Sequence, residues 1–391
     1  LFNIKQLQIM RKVKIFLLVS SLVFGFTALY AQETEKQKEE NKKLVLKIYG
    51  FLKGDMVYAS GGVKSFGNAG SLAAPQQATG VEQNAVGFTA QHTRFGFKGT
   101  TGDQVKVGGL LELDFFTGVF ESNLRPRMRQ GYVSISHGGF EARMGQQWDL
   151  FSPNNPNTNN TNGNFWYAGN RGFRRAQLQL SYTHANEKFS PMVQLSLGET
   201  TPDGAFPGSD NISGIPMVQT RLSGKFMNKY IVGASFVYGT YLALPNDPDE
   251  FTVNTTGISV DFNLPLHKYF SLLGEFSSGT NLSNANLYSI AGSHSLTLAG
   301  NDTKTLGYWL NATSNVTDWF TFVLGYGTDK NTTNSLADET IEANTILYTH
   351  FVFPIKHGFA VAIEWQNIIT ARKNADDFKA NVIGLSGKVT F

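Results

Sequence analysis

Two-residue alternation, with charged residues on one parity and apolar residues on the other, is the feature that most limits what this chain can become. In "QVKVGGLLELDFF", Val105, Val107, Leu111, Leu113 and Phe115 share one parity, while Lys106, Glu112 and Asp114 share the other. Successive side chains of a strand point to opposite faces, so this segment has one greasy face and one charged face. The division recurs in "GFEARMGQQWD", where Phe140, Ala142 and Met144 oppose Glu141, Arg143, Gln147 and Asp149. In "TRFGFKG", Phe95 and Phe97 likewise oppose Arg94 and Lys98. From Leu44 to Phe391 the texture is β-branched and aromatic residues interrupted by polar turns, which predicts an all-β fold.

A soluble sandwich also alternates, so connection lengths decide between it and a barrel. From a strand at Leu44–Tyr58 the gaps run long at Ser60–Gly87, short at "GTTGDQ", moderate at "TGVFESN" and short at "HGG". They continue long at Phe151–Arg174, short at "ANEK", long at Glu199–Gly214, short at "MNK" and moderate at "LPNDPDE". Further on, "PLHK", "NVTD" and "IKHG" are short, whereas Ser278–Thr303, Asp329–Glu339 and Ala371–Asp377 are longer. This pattern predicts a transmembrane antiparallel β-barrel of about 16 strands, with short turns at one rim and long loops at the other. After residue 31 no run is long enough to cross a bilayer as a helix, so a membrane reading requires a closed barrel with its backbone fully paired. Trp148, Trp309, Trp319 and Trp365, near predicted strand ends, suit interfacial aromatic girdles.

From Met10 the chain reads "MRKVKIFLLVSSLVFGFTALYAQ": bases, an apolar run, then small residues near Ala31, which is the pattern of a secretory signal peptide. Residues 1–31 are read as that signal, with an upstream extension before Met10. Residues 32–43 are read as a short charged periplasmic leader and 44–391 as the barrel. Loss of residues 1–31 takes Lys5, Arg11, Lys12 and Lys14 from the 33 bases and none of the 30 acids, leaving 29 bases and a net charge of −1. Such a balance gives no general footprint for nucleic acid. The chain has no cysteine, which excludes thiolate metal sites and disulfides.

The order and spacing of "IYGFLKGDMVY", "TRFGFKG", "LELDFF", "RPRMRQGY", "ARMGQQWDLFSP" and the closing "GKVTF" resemble the DcaP-like trimeric outer-membrane porins over most of the chain past residue 43. The resemblance implies a bacterial outer-membrane location, a homotrimer in lipid, and passive diffusion of small polar solutes biased toward anionic ones. It implies no cofactor. Members of that family often carry a longer N-terminal coiled coil than the leader here, so barrel contacts would have to hold a trimer. The ending on Phe391 resembles the signal read by outer-membrane assembly machinery. A phosphate- or pyrophosphate-specific channel is the alternative within this architecture, but the chain lacks a dense lysine series.

"RPRMRQGY" places Arg125, Arg127 and Arg129 on one parity of the fourth strand. Charge is tolerated in a water-filled lumen and costs about 2–4 kcal/mol on the lipid side at midplane, so the arginines are assigned inward, with Met128 and Tyr132 outward. Lys106 on the third strand, Arg143 on the fifth and Arg94 on the second would extend the basic wall, and Glu112 and Asp114 would oppose it. In resembling porins the third long loop folds into the barrel and narrows it. Here that loop is "FSPNNPNTNNTNGNFWYAGNRGFRR", in which Phe165, Trp166 and Tyr167 would pack on the wall. Arg171, Arg174 and Arg175 would face the pore. A transverse field between these groups selects solutes by sign.

Rival classes find less support. An outer-membrane lipase or protease needs a nucleophile and base in contact, but Ser136 and His137 of "SISH", like Ser134 and His137, lie on opposite parities. His92 shares a parity with Arg94 and is expected to line the lumen. Asp247, Asp249 and Glu250 lack the spacing and turn glycine of a calcium loop. No enzyme activity and no metal site are expected.

Overall fold

The computed structural model describes residues 44–63, 72–73, 84–117, 123–159, 165–200, 211–243, 251–290, 302–333 and 336–391. The expected signal peptide, the charged leader and the acidic turn at Asp247, Asp249 and Glu250 lie outside them. The strands are β1 (Val45–Ser60), β2 (Ala85–Thr89), β3 (Arg94–Thr101), β4 (Val105–Asp114), β5 (Arg127–His137), β6 (Phe140–Trp148), β7 (Arg174–Thr183), β8 (Phe189–Gly198) and β9 (Asn211–Ile212). They continue with β10 (Met217–Phe226), β11 (Tyr230–Ala243), β12 (Phe251–His267), β13 (Phe270–Thr280), β14 (Lys304–Thr317), β15 (Phe320–Asn331), β16 (Ile341–Pro354), β17 (Phe359–Arg372) and β18 (Ala375–Thr390).

These segments fill sixteen wall positions, because two positions are each built from two pieces. β2 and β3 both pair with β1, one along Asp55–Ala59 and the other along Val45–Phe51. Short β9 pairs with β11 beyond the end of β10. β1 pairs antiparallel with β18 from Phe51↔Thr390 to Ser60↔Asn381, which closes the sheet. Short turns and longer connections alternate between the rims as expected, with one exception. The connection expected to be longer at Ala371–Asp377 is a tight turn at Lys373 and Asn374, closed by Arg372↔Ala375.

Parity sorts the wall into two surfaces. Outward, Ile48, Phe88, Val133, Met144, Leu222, Ile258, Phe276, Leu310 and Leu385 are all exposed. An apolar belt of that extent is far beyond the patches soluble monomers show and is the exterior of a membrane-spanning barrel. Inward, buried polar and charged side chains predominate, among them Asp55, Asp114, Asp261, Glu275, Asn311, Asp329 and Glu364.

Part of the interior is apolar. Phe165 and Ala168 pack with Trp309, Val323, Ile346, Tyr348 and Ile368, and Phe151 packs with Met217, Val237 and Leu282. Glycines on the inner wall make room for this packing. A Cβ on Gly327 would lie 2.4 Å from the Ala168 carbonyl oxygen, and one on Gly257 would lie 3.0 Å from Phe151.

Candidate functional site

The site begins where one hairpin leaves the wall. β5–β6 pairing ends at Gly131↔Gln146 and β7–β8 pairing begins at Gln177↔Gly198. β6 and β7 stay paired with each other up to Trp148↔Arg174. The end of this hairpin is therefore free of both neighbours, and residues of both parities meet protein. On one parity Arg175 pairs with Asp149 at 2.8 Å and donates to the Ala285 carbonyl at 2.7 Å. On the other, Trp148 meets two guanidinium groups, Arg174 at 4.9 Å and Arg129 at 5.9 Å from the ring centre.

Arg129 is the hub of an ion-pair chain. It donates to Glu112 at 2.7 Å and to Asp114 at 2.9 Å. Arg127 grips Asp114 with two bonds of 2.9 Å, the planar fork that favours arginine over lysine. Tyr49 donates to Glu112 at 3.1 Å, and Arg94 lies 4.0 Å from the same carboxylate. Arg127 also sits 5.0 Å over Phe116, whose ring stacks on His92. His92 is carried by the break between β2 and β3 and contacts Asp55, which binds Lys53 at 2.6 Å.

The segment from Phe151 onward is bonded to lumen-facing groups of distant strands. Ser152 and the Asn154 amide donate to Glu275 on β13, and the Asn157 amide donates to Asn311 on β14. Tyr348 on β16 donates to the Asn157 carbonyl. The Asn159 amide donates to Glu364 on β17, while Lys53 on β1 and Ser386 on β18 hold the same asparagine. Returning, Arg171 forms a fully buried pair with Asp329 on β15. Tyr288 stacks on Trp166 at 3.9 Å and meets Tyr167 and Phe173 edge-on. Burial pushes the Tyr288 hydroxyl up to about 12, against the opposing pull of Arg174. The phenol is therefore a neutral donor across the ordinary pH range.

Among solved structures, the chain is similar to the outer-membrane channel DcaP of Acinetobacter baumannii, with a TM-score of 0.73 and 18% identity over 91% of this chain and 99% of that one. It is also similar to an anion-selective porin from Comamonas acidovorans, with a TM-score of 0.59 and 13% identity over 89% and 100% of the two chains. OmpF of Salmonella typhi, in complex with daunomycin, gives a TM-score of 0.57 and 12% identity over 88% and 97%. The chain has a porin-type fold. No family model matches it, and no curated protein matches it in sequence.

Within this porin-type barrel the expected basic wall is redistributed. Arg94, Arg127, Arg129, Glu112 and Asp114 come together as the sequence predicts, and Arg174 joins them. Arg125 does not: it precedes β5 and is exposed. Lys106 pairs across from Ser136, eight residues along β4 from Asp114, roughly 27 Å at the rise of a strand. Arg143 is also remote. It binds Glu141 at 2.9 Å, stacks over Tyr132, and lines a separate cavity of about 790 Å³ with Ser136, Gln179, Ser181 and Gln194. Arg171 and Arg175 are buried in ion pairs that fix the connecting segment rather than facing an open path.

Tyr132 is corrected as well. The register shifts between Glu112↔Gln130 and Leu113↔Met128, leaving Arg129 as the extra residue of a β-bulge. A bulge reverses parity beyond it, so Met128 and Val133 face outward while Tyr132 turns in toward Arg143. Trp309 is buried against Phe165 and Glu275 instead of belonging to an outer girdle, and the Trp148 ring meets Arg129 and Arg174. Trp319 is exposed. Sequence reasoning missed Tyr49, Lys53, Asp55 and Tyr288. Lys53 and Asp55 share a parity on β1, a signal that was available; the position of Tyr288 left none.

Proposed function

We propose that this protein is a bacterial outer-membrane porin through which small hydrophilic solutes diffuse, with a preference for anions. The observation that carries the reading is one lumenal cluster in which, among the described residues, Arg94, Arg127, Arg129 and Arg174 stand against Glu112 and Asp114. The excess is positive, and in a narrow low-dielectric passage an unbalanced charge raises the local concentration of the opposite ion. The segment 151–159, bonded across the lumen, narrows the passage beside that cluster. The anion-selective porin of similar fold supports the sign of the preference.

The protein is further proposed to work as a homotrimer in outer-membrane lipid and without enzymatic activity. A phosphate-type conduit is the second reading and is not favoured, because the chain lacks the dense lysine series such a conduit is expected to carry. Reversal potentials of the purified protein in a planar bilayer under a potassium chloride gradient test the proposal. A potential of the sign set by chloride is expected; one set by potassium rejects anion preference.

A further inference from the structure

The short-turn rim carries charge that conduction through the lumen does not use. The β10–β11 and β12–β13 hairpins stand side by side, joined through β11 and β12, so their turns lie two strand spacings apart, roughly 10 Å. Each turn presents a lysine against a tyrosine. Lys229 Nζ is 4.4 Å from the Tyr230 ring centre, and Lys268 Nζ is 4.5 Å from that of Tyr269, contacts in which the ring face steers the ammonium group. Both lysines are exposed, and among the described residues neither has an ion-pair partner. Lys188, whose carbonyl accepts the Met227 amide at 2.9 Å, adds a third base to the same rim. Neither turn holds an acid; Glu187 and Asp318 sit in the next turns on either side.

The apolar surface beside these lysines fixes their depth. Phe226 pairs across to Phe189 on β8 and to Tyr230 on β11, and the two phenyl rings stack at 4.7 Å. Phe226 shares a parity with exposed Leu222, so this row lies on the lipid side. Met227 and Asn228 turn the chain with φ of 48° and 57°, and the tight turn leaves Met227 72% exposed beside Lys229. Leu266 and Tyr269 are exposed on the next hairpin. Aromatic groups in such a row sit where acyl chains meet headgroups, which puts both ammonium groups at headgroup level. Short turns mark the periplasmic rim of an outer-membrane barrel, where the surrounding leaflet is phospholipid. A zwitterionic headgroup brings an ammonium of its own and supplies no net counter-charge. An anionic headgroup supplies one.

We propose that these two turns form a binding site for an anionic phospholipid of the inner leaflet, with its phosphate reached by Lys229 and Lys268 and its acyl chains along Phe226, Tyr230 and Leu266.

Native mass spectrometry of the purified protein, released from micelles holding equal phosphatidylglycerol and phosphatidylethanolamine, should show phosphatidylglycerol retained. Lys229→Gln and Lys268→Gln should each weaken its binding about fivefold, the equivalent of about 1 kcal/mol per lysine, and the double variant about thirtyfold. Replacing both lysines by arginine keeps the charge and should keep the binding. Lys304→Gln combined with Lys330→Gln removes two exposed lysines at the opposite rim and should leave retention unchanged. Equal retention of the two lipids by the wild-type protein, or an equal loss in the Lys304 and Lys330 variant, overturns the site. Either result leaves the channel reading standing, whereas cation selectivity in a planar bilayer rejects anion preference and leaves the lipid site in place.

Discussion

The Arg129 guanidinium donates to Asp114 at 2.9 Å, and neither side chain is more than 2% exposed. Arg127 binds the same carboxylate yet keeps 36% of its side chain open. The two arginines, adjacent on one parity, should therefore respond differently to removal. Arg127→Ala takes away a charge that faces the lumen and leaves Asp114 its bond to Arg129. The barrel should fold normally and the reversal potential should move toward zero. Arg129→Ala strips the buried carboxylate of Glu112 of its nearest partner and should destabilise the barrel by about 3–5 kcal/mol. Urea unfolding of both variants in detergent, beside their reversal potentials, checks the contrast. Equal loss of stability in the two would mean that exposure is not what separates them.

Preference that arises from the field of the arginine cluster must also weaken with salt. The screening length is about 10 Å at 0.1 M and about 3 Å at 1 M, so at the higher concentration ions away from the wall no longer sense the guanidinium groups. Reversal potentials under a constant concentration ratio should show the anion preference shrinking as mean salt rises. A preference that holds undiminished to 1 M would point to short-range recognition of each ion instead.

Much of this was legible from period and spacing, because a closed wall with lipid outside and water inside forces alternation on nearly every strand. Val107 and Leu111 facing out, and Glu112 and Asp114 facing in, follow from parity alone. Parity failed where the backbone departs from a regular ladder. The bulge at Arg129 moved Tyr132 to the inner face, and the end of the β6–β7 hairpin, free of β5 and β8, brought Arg174 to the cluster while Arg175 turned to Asp149. The first departure is one residue of register and the second is the loss of flanking strands, and composition records neither. Lys106 was misassigned for a different reason: parity gives the face of a strand and not the height along it.

The inner-wall glycines give a direct test of how the loop segment is seated. A Cβ at Gly327 would come 2.4 Å from the Ala168 oxygen and 3.1 Å from the Phe165 ring. A backbone oxygen cannot yield without its chain. Gly327→Val should therefore lift the 165–168 segment, cost about 1–3 kcal/mol in overpacking, and alter single-channel conductance. Gly54→Val is the control, since nothing lies within 4 Å of a Cβ placed there. Unchanged conductance in Gly327→Val would show that this segment does not limit the passage.

Arg171 and Asp329 set the most exacting test of whether the loop is fastened by charge. The pair is completely buried, with Arg171 Nη2 donating to Asp329 Oδ1 at 2.8 Å, and Ser277, Thr305 and the Ile290 amide complete the bonding. Removing either charge alone strands the other in the interior, at a cost of about 3–5 kcal/mol. Arg171→Met and Asp329→Leu should therefore each lower the urea midpoint strongly. The double variant removes both desolvated charges and should recover most of the loss, because replacing a buried pair by apolar groups of similar volume is often close to neutral. Its conductance should stay near that of the wild type if apolar packing of Phe165 and Ala168 suffices to seat the segment. Recovered stability with altered conductance would instead assign the pair to holding the passage in shape, beyond what packing supplies.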